Sequence, residues 1–206
     1  MKDFIKIPSS KISLKRRKAV YSVGVNDADY MVKATVNGVR QYCPFYAKWA
    51  DMIRRCYSPV NLKRNPTYKD CTVCDEWLTF SNFKKWMEVQ DWEGMELDKD
   101  IKINGNRIYS PESCIFIPHE VNSLLNDSKK TRGDHPQGVS FHKRDNVFAA
   151  NCSLNGKLVY LGSFKDSESA SIAYRKFKHK CILEMASRYS SPISEYIKAA
   201  AEQFND

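Results

Sequence analysis

The chain of 206 residues has no run of 18 apolar residues, which excludes a transmembrane helix. Its opening stretch, MKDFIKIPSSKISLKRRKAV, lacks the apolar segment of a secretion signal, so the expected compartment is cytoplasmic. No repeat of 20 to 50 residues is evident and no low-complexity tract, which argues against a repeat architecture. There is no aromatic RNA-recognition motif and no assembly heptad, so an RNA-binding or purely structural role has no support. Histidine is scarce: His119, His135, His142 and His179 are the whole set. Seven cysteines are an odd number for a disulfide framework, and a cytosolic chain keeps them reduced.

What the chain has in excess is positive charge. Lys and Arg number 33 against 24 Asp and Glu, a net +9 with a pI near 9.1. Such a surplus suits a polyanion, because each phosphate neutralised releases condensed counterions; taken alone, it equally fits a basic soluble protein. The charge is clustered, however, at Leu14 to Lys18 (LKRRK), Ile53 to Arg55, Lys129 with Lys130, and Tyr174 to Lys180 (YRKFKHK). Aromatic residues are scattered and read as core rather than as stacking platforms for a single strand. Neither a membrane partner nor a small-molecule cofactor is expected.

Cys71 and Cys74 stand in a C-x-x-C spacing, a zinc half-site. A second C-x-x-C is absent, so a structural Zn²⁺ would draw its other thiolates from Cys56 and Cys114. The alternative is that all four are small buried hydrophobes, as free cysteines often are.

Residues 1 to 20 read as a polar, basic arm that orders on meeting a partner. Alternating apolar residues around Asn37-Gly38 predict a hairpin. Phe45, Trp49, Met52, Ile53 and Tyr57 recur at helical spacing behind Pro44, and SPVNLKRNPTYKD reads as a loop. Leu78, Phe83, Trp86 and Met87 form the stripe of a second helix with Ser81 as its cap. MELDKDIKI then reads as a strand, NGN as a turn and RIYS as the returning strand. A helix follows from Pro118 to near Asn126. Asp127 to Gln137 has no apolar period and reads as a linker. Beyond it, turns at Asp145-Asn146 and Asn155-Gly156 separate three short antiparallel strands. A helix with Ala170, Ala173, Tyr174, Phe177 and Cys181 on one face comes next, capped by Ser167, and a last helix closes the chain.

Two stretches carry resemblances. GVSFHKRDNVFAANCSLNGKLVYLGSFKDSESASIAYRKFKHK, from Gly138, resembles the Apetala-type DNA-binding domain of plant ethylene-response factors and of phage and mobile-element nucleases. The resemblance implies a three-stranded sheet that enters the major groove, backed by one helix. By position it assigns Arg144, Asn151, Ser153 and Lys157 to DNA and Lys143 to phosphate, although the strands carry less arginine and tryptophan than that family's usual pattern. The stretch from about Gly24 to Asn126, through YAKWADMIRRCYS, YKDCTVCDEWLTFSNFKKW and LDKDIKINGNRIYSPESC, resembles the HNH-type homing endonucleases of bacteriophages. That resemblance implies double-stranded DNA as partner, Mg²⁺ or Mn²⁺ as cofactor, and the cytoplasm of an infected bacterial host.

In that family a metal lies between a hairpin and a helix, and a strand histidine activates water. Here Asp98 fills the metal-ligand position, Lys99 stands where the base usually does, and Ser113 replaces the asparagine before the cysteine. Three readings stay open. Asp98 and Asp100 hold Mg²⁺ and a bound water or Asp100 serves as base; or His119 reaches back as a substitute base or ligand; or catalysis is lost and Lys99 is one more phosphate contact. The expected architecture is α+β: a basic arm (1–20), an HNH-like hairpin-plus-helix nuclease core (21–126), a linker (127–137), and a three-stranded antiparallel sheet packed on a helix (138–206). The expected function is metal-dependent cleavage or nicking of double-stranded DNA. The alternative is a catalytically degenerate DNA-binding protein or transcriptional regulator.

Overall fold

Asn37 and Gly38 both take positive φ, 49° and 75°, the pairing that a two-residue turn between right-twisted strands requires. They join β1 (Lys33–Val36) to β2 (Val39–Tyr42) in antiparallel register, with Lys33 opposite Tyr42 and Thr35 opposite Arg40. The structure, a computed structural model, describes residues 4–126, 134–154 and 156–205. Helices and strands are mixed in it, an α+β chain. It divides into two compact units, Met1–Glu93 with Leu97–Phe116, and Gly94–Glu96 with Ile117–Asp206. Most of the expected linker, residues 127–133, and the first half of the Asn155-Gly156 turn lie outside the described residues, as do Lys129 and Lys130.

In the first unit the described residues of the basic arm make hydrogen bonds to residues 26–31. The arm carries a short helix, α1 (Lys11–Lys15), and Ser9 and Met31 close backbone hydrogen bonds to Asp29 and Ile7 at 2.9 and 2.8 Å. Arg17 donates to the carbonyls of Asn26 and Tyr30 at 3.0 Å, to that of Ala28, and to Ser9 Oγ. One guanidinium with five donors satisfies several loop carbonyls at once.

Helix α2 (Pro44–Tyr57) begins with Pro44 in its first turn and buries Trp49, Met52, Ile53 and Cys56. SPVNLKR is helical where a loop was expected: Ser58 Oγ accepts from the Asn61 N–H at 3.3 Å and opens α3 (Pro59–Arg64), with Pro59 preset for its first turn. After β3 (Thr72–Val73), the second amphipathic stripe splits into a 3₁₀ turn, Asp75–Leu78, and α4 (Phe80–Met87). The residue before α4 is Thr79, and the Ser81 N–H is held by Asp27 Oδ1 at 2.9 Å, so Ser81 lies inside the helix. Trp49, Trp77, Phe80 and Phe83 are buried together, and Trp49 Nε1 donates to the Trp77 carbonyl at 2.7 Å. The Trp49 indole N–H is thus satisfied in burial, whereas Trp77 Nε1 is buried without a hydrogen-bond partner and its ring gains instead from edge and tilted aromatic contacts.

The central strands depart from expectation. β4 (Met95–Asp98) does not pair with the returning RIYS stretch. It pairs with β6 (Ile115–Pro118), while β5 (Ile108–Tyr109) runs parallel to β3, Thr72 opposite Ile108. The reason is local. Asp98 Oδ1 accepts the N–H groups of Asp100 and Ile101 at 2.8 and 2.7 Å, which turns the chain immediately after the strand. The Asn106 amide binds the carbonyls of Lys99 and Ile108, so side chains rather than a strand ladder hold residues 99–108.

The second unit holds α5 (His119–Leu125) and a three-stranded antiparallel sheet, β7 (Val139–His142), β8 (Val147–Leu154) and β9 (Lys157–Phe164), in that order. Helix α6 (Ser167–Ala186) covers one face of the sheet, where Val139, Ala150 and Ala170 pack with Phe148, Leu161, Phe164 and Ala173. Its cap is Asp166, one residue before the expected Ser167; Asp166 Oδ1 accepts the Ser169 N–H at 2.7 Å. Helix α7 (Ile193–Ala201) packs against α6.

Candidate functional site

Strand alternation and register place Ser140, Asn151, Ser153, Leu158 and Tyr160 on the face of the sheet opposite α6. Ser153 sits opposite Leu158 and Asn151 opposite Tyr160. Leu158 and Tyr160 are 74% and 62% exposed, so that end of the face is open, whereas Ala149 on the same face is buried. Of the residues assigned to DNA, Asn151 and Ser153 share this face, and Lys143 and Arg144 stand exposed in the turn between β7 and β8. Arg144 pairs with Asp145 at 3.0 Å but is almost fully solvated, so that pair is weak. Lys157 opens β9 opposite Leu154, exposed and out of phase with Leu158 and Tyr160. No Asp or Glu occurs in the three strands.

A cleft of about 640 Å³ opens in the second unit, and His119, Ser123, Asn126, Asn151 and Ser153 line it. Residues assigned to two different expected domains therefore border one cavity. His119, at the start of α5, is exposed, and its Nδ1 lies 2.7 Å from Glu96 Oε1 on β4. The other Glu96 oxygen accepts from the Asn122 amide, one turn along α5. Sequence reading missed Glu96 and Asn122. The only signal for Glu96 was an acid inside a strand pattern, and nothing local pointed to its partner 23 residues away.

Asp98, Lys99 and Asp100 lie in the first unit and satisfy one another. Besides the two N–H groups on Asp98, the buried Lys99 ammonium donates to Asp100 Oδ1 at 2.6 Å and to the Asn106 carbonyl at 2.7 Å, and lies over the Tyr109 ring. Burial pushes the Asp98 carboxyl above its ordinary pKa, opposed by its two backbone hydrogen bonds. Lys99 thus braces the turn from inside. Lys99→Ala is expected to cost about 2 kcal/mol by urea denaturation. The cost sits at the low end for a buried pair because Asp100 is half exposed and rehydrates. A midpoint shift too small to resolve would show that the turn does not depend on the ammonium.

Cys56, Cys71 and Cys114 are buried in the first unit. Burial pushes the Cys56 and Cys114 thiols up to about 12, and for Cys56 the neighbouring Cys71 and Cys114 add to the rise. Cys74 is less buried; burial raises its thiol too, with Glu76, Glu112 and Asp75 as the charges acting on it. Among the described residues no three His, Cys, Asp or Glu side chains form a group able to hold a metal ion. Neither the four-thiol set nor the Asp98–Asp100 pair forms such a group.

Comparison with protein-family models, with curated proteins and with solved structures returns no match.

Proposed function

We propose that this protein binds double-stranded DNA through the face of the β7–β8–β9 sheet opposite α6. The supporting observation is that face: small and polar residues at Ser140, Asn151 and Ser153, exposed apolar groups at Leu158 and Tyr160, no acid in any of its strands, and Lys143 and Arg144 at its rim. Asn side chains read adenine edges, serine accepts either base, and apolar groups meet the thymine methyl, while the two cations hold phosphate. The small number of arginines on the strands limits bidentate guanine contacts, so affinity rests chiefly on the backbone.

The test is duplex binding measured across a salt series. Lys143→Ala with Arg144→Ala removes two phosphate contacts, and the slope of log K against log salt is expected to fall by about 1.8. An unchanged slope, with duplex still bound, would move the interface off the sheet.

A second reading adds hydrolysis to the same grip. It is favoured by the Glu96–His119 pair beside the cleft that Asn151 and Ser153 also line. A histidine oriented by a carboxylate is suited to take a proton from water. In this reading the protein is a DNA endonuclease of the HNH kind, and His119 rather than Asp100 is its base; Mg²⁺ or Mn²⁺ is the metal it would use.

A further inference from the structure

The β1–β2 hairpin carries a second cationic surface that the sheet does not account for. Cross-strand register puts Lys33, Thr35, Arg40 and Tyr42 on one face. All four are exposed, whereas Ala34 on the other face is buried. That other face is tied down: the Gln41 amide donates to the Ile5 carbonyl at 2.9 Å and its oxygen accepts the Ile5 N–H at 3.1 Å. Lys33 Nζ lies 5.5 Å and Arg40 Cζ 5.2 Å from the centre of the Tyr42 ring, so one aromatic ring holds both cations near the surface. Among the described residues neither Lys33 nor Arg40 makes a salt bridge, and no acid occurs in the sequence between Tyr30 and Ala50. Two fixed cations with no acidic counterpart in that stretch, on a ribbon whose inner face is already anchored, complement a polyanion.

We infer that the β1–β2 hairpin is a second DNA-contacting element, which sets Lys33 and Arg40 on the phosphates of a duplex and Tyr42 against its groove wall. A two-stranded ribbon fits the major groove, about 12 Å wide. The turn at Asn37-Gly38 has no side chain near Gly38 to obstruct approach. Phosphate contacts of this sort position a protein without reading sequence, so the hairpin would lengthen the footprint and leave base preference to the sheet. The inference rests on the proposal that the protein binds duplex DNA, and the test separates the two.

The full chain is compared with Lys33→Gln/Arg40→Gln, which keeps polar stems on the hairpin, and with Lys143→Ala/Arg144→Ala, each checked for folding by circular dichroism. A duplex of about 40 bp, longer than the roughly 30 bp that a single bent site spans, serves for salt-dependent binding and hydroxyl-radical footprinting, with anionic lipid vesicles as a second probe. The hairpin variant is expected to lower the salt slope by about 1.8 and to shorten the footprint. If wild type binds duplex and the hairpin variant keeps both slope and footprint, the inference is overturned while the DNA reading stands. If the sheet variant keeps the wild-type slope and the hairpin variant does not, the hairpin is upheld and the sheet loses its role. No duplex binding by wild type, or hairpin-dependent binding to vesicles alone, overturns the inference; the first result also removes the DNA reading.

Discussion

Gly138→Ala is expected to destabilise the second unit by about 3 kcal/mol, a drop of roughly 10–20 °C in its melting temperature. Two costs add. Gly138 has φ +75°, a conformation that costs an L-residue about 1–2 kcal/mol. The added Cβ would also stand 2.0 Å from Cδ2 of Tyr174, and the ring has nowhere easy to go because it is 4% exposed on the inner side of α6. Relieving such an overlap in a packed core costs about 1–3 kcal/mol. The Gly138 carbonyl accepts the Asn151 N–H at 2.8 Å, so a shift there also loosens the strand that carries Asn151 and Ser153. Gly156→Ala is the control. It has nearly the same φ, +73°, with nothing within 4 Å, and is expected to lose only the backbone share. Thermal melts should therefore show a clearly larger drop for Gly138→Ala than for Gly156→Ala. Equal shifts would show that the Tyr174 contact contributes nothing.

The contrast between those two glycines also marks what a sequence can and cannot carry. Turn chemistry and period are local, and where they set the structure the reading matches it. The Asn37-Gly38 hairpin, the Pro44 helix start, the Asp145-Asn146 turn and the three strands of the sheet are all found where expected. Helix α3 was also legible, through Ser58 and Pro59, but two prolines nearby made the stretch resemble a loop. The central strands were not legible. β3 and β5 are two residues each, too short to show any period, and their pairing joins Thr72 to Ile108 across α4 and β4. A strand pattern in MELDKDIKI is cut short by the Asp98 side chain, which competes with the ladder for the backbone. The candidate site divides along the same line. Asn151 and Ser153 follow from the resemblance by position and share one face by strand register, whereas the Glu96 partner of His119 depends on the β4–β6 pairing and could not be read from either segment.

His119→Ala is expected to lower any DNA cleavage by a factor of about 10² to 10⁴, the usual share of a positioned general base. The measurement is conversion of supercoiled plasmid to nicked or linear DNA in Mg²⁺ or Mn²⁺, beside Asp98→Ala/Asp100→Ala and Glu96→Gln. Glu96→Gln keeps a hydrogen-bonding partner near His119 but removes the charge that steadies an imidazolium, so a smaller loss, about 10-fold, is expected. The paired-acid variant should weaken the turn after β4 and leave cleavage measurable at a temperature where it stays folded, because Asp98 and Asp100 serve backbone N–H groups and Lys99. Loss of cleavage in the acid variant with His119→Ala fully active would return the chemistry to the LDKD turn. Duplex bound but intact in every metal, with wild type and variants alike, would leave a DNA-binding protein that regulates by occupancy. That outcome agrees with a turn in which Lys99 is buried and already bonded on two sides.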